Sequence, residues 1–438
     1  MRFRRFQRIW LSPRLWKRHV IFWSGGLAVG FVAVLFAHAA DAAQLLFRRV
    51  LDVSPFVSLA LTPAGLAIAA ALTRRFFPGS QGSGIPQAIA ARHHAEPMAR
   101  LRLLSMRIAV GKVALTLLAL ATGAPAGREG PTVQVGASVM SSVGRIAGGR
   151  YQGLILAGSA AGVAAAFNTP LAGIVFAIEE MSRSFEQRTS GLVLAAVIVA
   201  GIASLALAGD YTYFGHTSAS LASPADWVAV PLCGLLGGLM GGLFARSVVA
   251  VARGLPGRAG WLIRQHPILF AALCGLLVAV IGIVSGGTTY GTGYHEAKEL
   301  LQGAGQIPAS FGLLKMLATI LCSVSGIPGG IFSPSLAVGA GFGANVAALL
   351  PHAPLGAVVL LGMAAYFAGV VQAPITAFVI VLEMTDNHAM AIPVMAAALI
   401  GYGTSRLSGA EPIYHALAEG FMPETGEGAR PQASGHSP

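Results

Sequence analysis

Charged side chains are scarce in this sequence. They make up 11% of its 438 residues, against 55% hydrophobic, too few to cover the surface of a soluble protein of that length. Cysteine is scarcer still. Cys233, Cys274 and Cys322 lie in apolar runs at unrelated spacings, which excludes a disulfide framework or a cysteine metal site and leaves them as small core residues. No stretch of about ten residues alternates in polarity, which excludes a transmembrane barrel. His295-Glu296 opens HEAKE rather than HExxH, so the zinc-protease motif is missing. Ser159 in AGSAAG could pose as a hydrolase nucleophile, but no histidine is placed as its base.

What remains is apolar sequence in long pieces. The runs Leu192 to Leu207, Ile268 to Val284 and Leu355 to Val371 approach or reach the roughly 17–20 residues that cross a bilayer core. Many are broken by the 56 glycines or by proline, which predicts an all-α polytopic membrane protein of about ten or more unequal helices. The net charge of +12 does not point to nucleic acid, because its placement is topological. Residues 1–18 carry Arg2, Arg4, Arg5, Arg8, Arg14, Lys17 and Arg18 with no acid, and Trp10, Trp16 and Trp23 lie among or just after them. Basic residues and interfacial aromatics ahead of the first apolar run place a cytoplasmic N-terminal segment at 1–19. Arg74 and Arg75 fit a return to that side, whereas Arg48 and Arg49 fit poorly. The first run extends to about Phe47 with no prompt small-residue cleavage site, so no signal peptide is expected. One transmembrane domain spans 20–415, and the composition of 416–438 predicts disorder.

The chain repeats itself. Gly127, Pro131, Val135, Gly136 and Ala137 recur as Gly330, Pro334, Val338, Gly339 and Ala340, and Gly158, Ala160, Ala161, Pro170 and Glu179 as Gly362, Ala364, Ala365, Pro374 and Glu383. An ordered set of this kind marks a duplicated bundle with halves at about 20–208 and 226–415. Such repeats place ion sites at their interface, where broken helices aim their ends. Similarity alone leaves open whether the halves are inverted.

Three Gly-rich breaks then matter: GSGIP at 82–86, GREGP at 127–131 and GIFSP at 330–334. Each puts proline in the opening turn of a helix, where free N–H groups carry about half a positive charge. Several such ends converging in the membrane would hold an anion by partial charges, loosely enough to let it go. Intramembrane carboxylates are functional candidates, and Glu129 lies inside the second break. Glu179, Glu180 and Glu383 close apolar runs, Glu383 ahead of Asp386. Glu179 and Glu383 are read as capping helix ends or pairing with Arg183, and of the Glu179-Glu180 pair only one faces a pathway, about 100° separating them. Lys112 either raises the potential along an anion route or snorkels. His38 is read as a packed residue.

These breaks, with FNTPLAGIVFAIEEM at 167–181, QAPITAFVIVLEMTDN at 372–387 and Tyr414 in PIYHALAE, resemble the CLC family of chloride channels and proton/chloride antiporters. The resemblance runs from about residue 82 to 415. It implies two inverted halves of broken, tilted helices, a homodimer with a pore in each subunit, and the bacterial inner membrane as location. It implies a central chloride held by the hydroxyls of Ser83 and Tyr414 and the amides of Ile331 and Phe332, with no other cofactor. Glu129 would be the outer gating glutamate, whose carboxylate stands in for an anion until protonated. Glu180 falls where family antiporters carry an inner proton acceptor. That favours proton-coupled antiport, a passive channel of the same fold being the alternative. Serine at 83, rather than the proline of nitrate or the asparagine of fluoride transporters, implies chloride. The regulatory cytoplasmic domains of larger relatives are not found here.

Overall fold

Glycine and proline cut the apolar sequence into helices, and the cuts decide the architecture. The computed structural model describes residues 13–422 except 95, 148–150, 183–186, 210, 211 and 304–306. The basic residues Arg2 to Arg8, Trp10, Arg183 and the tail from 423 therefore lie outside the described residues. The first set of helices is α1 (Pro13–Val53), α2 (Ser58–Phe76), α3 (Ile85–His93), α4 (Pro97–Leu103), α5 (Met106–Ala121), α6 (Glu129–Ala147), α7 (Tyr151–Phe167), α8 (Pro170–Phe176) and α9 (Gln187–Ala208). The second set is α10 (Ala229–Arg253), α11 (Gly257–Gln265), α12 (Pro267–Val284), α13 (Tyr294–Gln302), α14 (Phe311–Val324), α15 (Phe332–Leu349), α16 (Leu355–Val371), α17 (Pro374–Thr385), α18 (Ala391–Leu407) and α19 (Ile413–Ala418). Eight helical segments among the described residues are long and apolar enough to cross a membrane.

Equivalent helices pack in equivalent ways. α6 lies along α7, and α15 along α16. A Cβ on Gly136 would stand 2.3 Å from the Gly158 carbonyl oxygen, and one on Gly339 2.6 Å from that of Gly362. These glycines bring the backbones together where the bilayer offers no hydrophobic drive to do so. α7 and α16 end alike, on Asn168 and Gln372, each at φ 57°. Asparagine suits that left-handed cap. Gln372 is held there instead by donating to the Ala410 carbonyl at 2.7 Å.

Position sets polarity. α16 is buried from Ala357 to Val371, as a helix apolar on every side should be. α12 presents Leu269, Leu273, Leu277 and Val280 outward, the face expected against lipid. The three cysteines are buried and unpaired, as core residues should be. Trp16 and Trp23 open α1 edge to face, 6.1 Å apart. Arg48, an awkward charge in the sequence, pairs with Glu296 at 2.9 Å.

At the centre the breaks are stitched together. Gly127 N–H donates to the Gly330 carbonyl and Gly330 N–H to that of Gly127, both at 2.7 Å. This is an antiparallel bridge between residues that the repeat makes equivalent. The helices that follow, α6 and α15, therefore leave in opposite senses, which gives the two halves inverted topology. Gly82 joins the same cluster, donating to the Ile327 carbonyl at 2.9 Å and accepting from Gly329 N–H at 3.0 Å.

Candidate anion and proton site

Ser83 stands between Gly82 (φ 64°) and Gly84 (φ 102°), backbone angles that only glycine adopts freely. The turn delivers its hydroxyl to the start of α3, against Gly130, where any Cβ would lie 2.3 Å from Ser83 Oγ. The Tyr414 hydroxyl comes from α19, which packs on α3, and sits beside Ser83. Both hydroxyls are buried, and neither finds a well-formed hydrogen bond among the described residues. Buried donors without acceptors are costly, so the pair is poised for a ligand that accepts. Ile331 caps α15 and Phe332 opens it, so their amides belong to the free N–H groups of a helix start. The Phe332 ring is wedged between Phe167 and Phe367, at centroid distances of 5.1 and 4.3 Å.

Lys112 does not snorkel. Its ammonium is fully buried and donates to the carbonyls of Ser80 (2.8 Å), Gly82 (2.6 Å) and, more weakly, Gln81 (3.4 Å). It ties down the loop that carries Ser83. Lys315, 203 positions later like Gly330 after Gly127, does the same for Thr289 (2.9 Å) and Gly291 (2.7 Å). The repeat offset pointed to Lys315, and the sequence reading missed it.

Glu129 opens α6 and is 1% exposed, near the positive end of its own helix. One carboxylate oxygen accepts from Ser333 Oγ at 2.6 Å. The other has no partner among the described residues and fills the space a Cβ on Gly127 would need, 2.3 Å away. Glu129 thus reaches across to the opening turn of α15, the helix that Ile331 caps. Arg128 turns the other way, donating to Asp41 at 2.7 Å and to the Ala37 carbonyl at 2.6 Å on α1. Beyond it opens a cavity of about 410 Å³ lined by His38, Asp41, Arg128, Tyr213, Tyr294 and His295, among others. His38 is consequently not the packed residue expected. It is exposed at the rim, because its helix face turns toward the cavity and not toward a neighbouring helix.

Glu180 is also buried, within a π-helical turn, Ala177–Ser182. Its carboxylate lies 3.7 Å from Nε2 of His415, which also donates to the Glu180 carbonyl at 2.8 Å. His415 adjoins Tyr414, so α19 links Glu180 to the Ser83 pair. Arg92, at the far end of α3, bonds the Met181 carbonyl. Glu129 and Glu180 therefore stand toward opposite ends of α3. Glu179 faces elsewhere, accepting from the amides of Ile375 (3.1 Å) and Thr376 (2.6 Å) at the start of α17. Glu383 returns the arrangement, accepting from Leu171 (3.0 Å) and Ala172 (2.6 Å) at the start of α8. Each acid closes its own apolar run and caps the equivalent helix of the other half.

The sequence pattern of the voltage gated chloride channel family matches residues 65–406. The chain belongs to this family. Among curated CLC proteins it is 33% identical over 368 residues to the H(+)/Cl(−) exchange transporter ClcA of Vibrio vulnificus strain YJ016, covering 79% of this chain and 76% of that one. The ClcA of strain CMCP6 matches equally. The crystal structure of a slow cyanobacterial Cl−/H+ antiporter superimposes with a TM-score of 0.79 at 27% identity, over 93% of this chain and 98% of that. A CLC-type fluoride/proton antiporter gives a TM-score of 0.76 at 21% identity, over 92% and 98% of the two chains, and shares the fold. The protein is thus an integral, multi-pass CLC protein, and these relatives are transporters rather than enzymes. Within this CLC fold, the six residues picked from the sequence gather around the broken helices. Ser333, Tyr213 and His415 join them unannounced.

Proposed function

We propose that the protein exchanges chloride for protons across a bacterial inner membrane, as a homodimer with its N-terminus in the cytoplasm. One observation carries the reading. The buried carboxylate of Glu129 lies across the start of α15, near two buried hydroxyls, Ser83 and Tyr414, that find no acceptor among the described residues. A carboxylate so placed does what a halide would do there. Chloride would rest between the Ser83 and Tyr414 hydroxyls and the amides of Ile331 and Phe332. Protonation removes the charge that the helix ends attract, so a protonated Glu129 swings out and chloride passes. Glu180, at the other end of α3, would take protons from the cytoplasmic side. The names of the relatives support exchange over passive conduction, and Ser83 supports chloride.

Paired flux measurements in sealed proteoliposomes test this. An imposed chloride gradient should drive protons uphill. Glu129→Gln should abolish proton movement, and Glu180→Gln should spare chloride flux while uncoupling it. Chloride flux without proton movement in the unaltered protein would instead establish a channel.

A further inference from the structure

The third break, GIFSP, carries a side-chain donor that the sequence reading passed over. Ser333 is the second residue of α15 and is buried. Its hydroxyl donates to Glu129 at 2.6 Å. A hydroxyl has one proton to give, so the contact of 3.4 Å between Ser333 Oγ and the Tyr213 hydroxyl is donated by Tyr213. Tyr213 is buried too, fixed edge to face against Phe167 and Tyr294, and it lines the cavity beyond Arg128. The chain Tyr213, Ser333, Glu129 therefore runs inward from that cavity with its donors aligned.

We propose that Ser333 is an anion-coordinating residue of the outer site, held and polarised by Tyr213. It binds the Glu129 carboxylate while that is ionised, and binds the transported anion once the protonated carboxylate has left. The proposal rests on the reading of Glu129 as the gating acid. Its consequence is a bias: a donor to the ionised acid keeps the gate occupied to lower pH, because hydrogen bonds to a charged form favour it. A change at Ser333 leaves the other charged and titratable groups of the region chemically unaltered. Those that act on Glu129 are Arg128, held by Asp41 on α1, Tyr213 itself and Tyr414 from α19; His38 and His295 line the cavity beyond Arg128, and Lys112 from α5 holds the Gly82 carbonyl.

The test is chloride efflux from proteoliposomes at a series of symmetric pH values, together with chloride binding by calorimetry in a Glu129→Gln background. Ser333→Ala should move the midpoint of the pH profile upward by about one pH unit. In the Glu129→Gln background the same change should weaken chloride binding by about tenfold, the loss of one charge-assisted hydrogen bond. Ser333→Thr keeps the hydroxyl and should keep the midpoint close to that of the parent. Tyr213→Phe should shift it in the same direction as Ser333→Ala by less, and serves if Ser333→Ala does not fold. An unmoved midpoint and unchanged chloride binding in Ser333→Ala would overturn the proposal, as would a Ser333→Thr protein that behaves like Ser333→Ala. If Glu129→Gln keeps proton coupling, the gating assignment itself falls. If Glu129→Gln loses coupling while Ser333→Ala is silent, only the role of Ser333 falls.

Discussion

Ser83, Tyr414, Lys112 and Lys315 show how differently a polar side chain can serve in a membrane interior. Among the described residues the two hydroxyls are left without acceptors, and the two ammonium groups are satisfied by loop carbonyls. The first arrangement stores binding capacity, and the second builds structure. Lys315→Met should destabilise the protein by about 2–4 kcal/mol, since it strips the donor from buried carbonyls. Thermal unfolding in detergent would read this as a lowered midpoint. Tyr414→Phe should instead leave the unfolding midpoint nearly unchanged and weaken chloride binding, measured by calorimetry. A phenyl ring fills the same space and removes only a hydroxyl whose proposed partner is the ion.

Among the elements, the short helices α8 and α17 depend on each other's half. Their free amides are capped by Glu383 and Glu179, each half-buried. Glu383→Ala should cost about 1–2 kcal/mol, the range for losing an N-terminal cap. Glu179→Ala should cost a similar amount and also loosen the π-helical turn that holds Glu180, lowering the number of protons moved per chloride. Paired fluxes would separate the two effects. The crossing of α6 and α7 tolerates no side chain where Gly136 meets Gly158. Gly158→Leu should destabilise by at least about 1–3 kcal/mol, the usual cost of overpacking. The sequence showed both acids and both glycines as repeat partners. It did not show that the acids reach across the repeat, because capping by a distant carboxylate leaves no local spacing to read.

At the scale of the whole molecule, the reciprocal pair between Gly127 and Gly330 joins the halves at the point where the anion would pass. Any rotation of one half against the other must therefore alter the site itself. Light scattering of the detergent-solubilised protein should give twice the mass of one chain, as the proposed homodimer requires. A mass of one chain would overturn the proposed homodimer.

Composition and order in the sequence determined that this chain is helical and membrane-spanning, that it is duplicated, and that Glu129 sits in a helix-opening break. Those properties depend on local content: hydrophobic length, Gly and Pro placement, and a recurring offset. Tertiary structure alone decided the rest. It turned Arg128 away from Glu129, brought Ser333 to that carboxylate with Tyr213 behind it, and buried Lys112 against carbonyls instead of letting it snorkel. Each of these depends on which distant backbone end a side chain meets, and in a bundle of broken helices that is settled by packing across the repeat, which sequence neighbours do not encode.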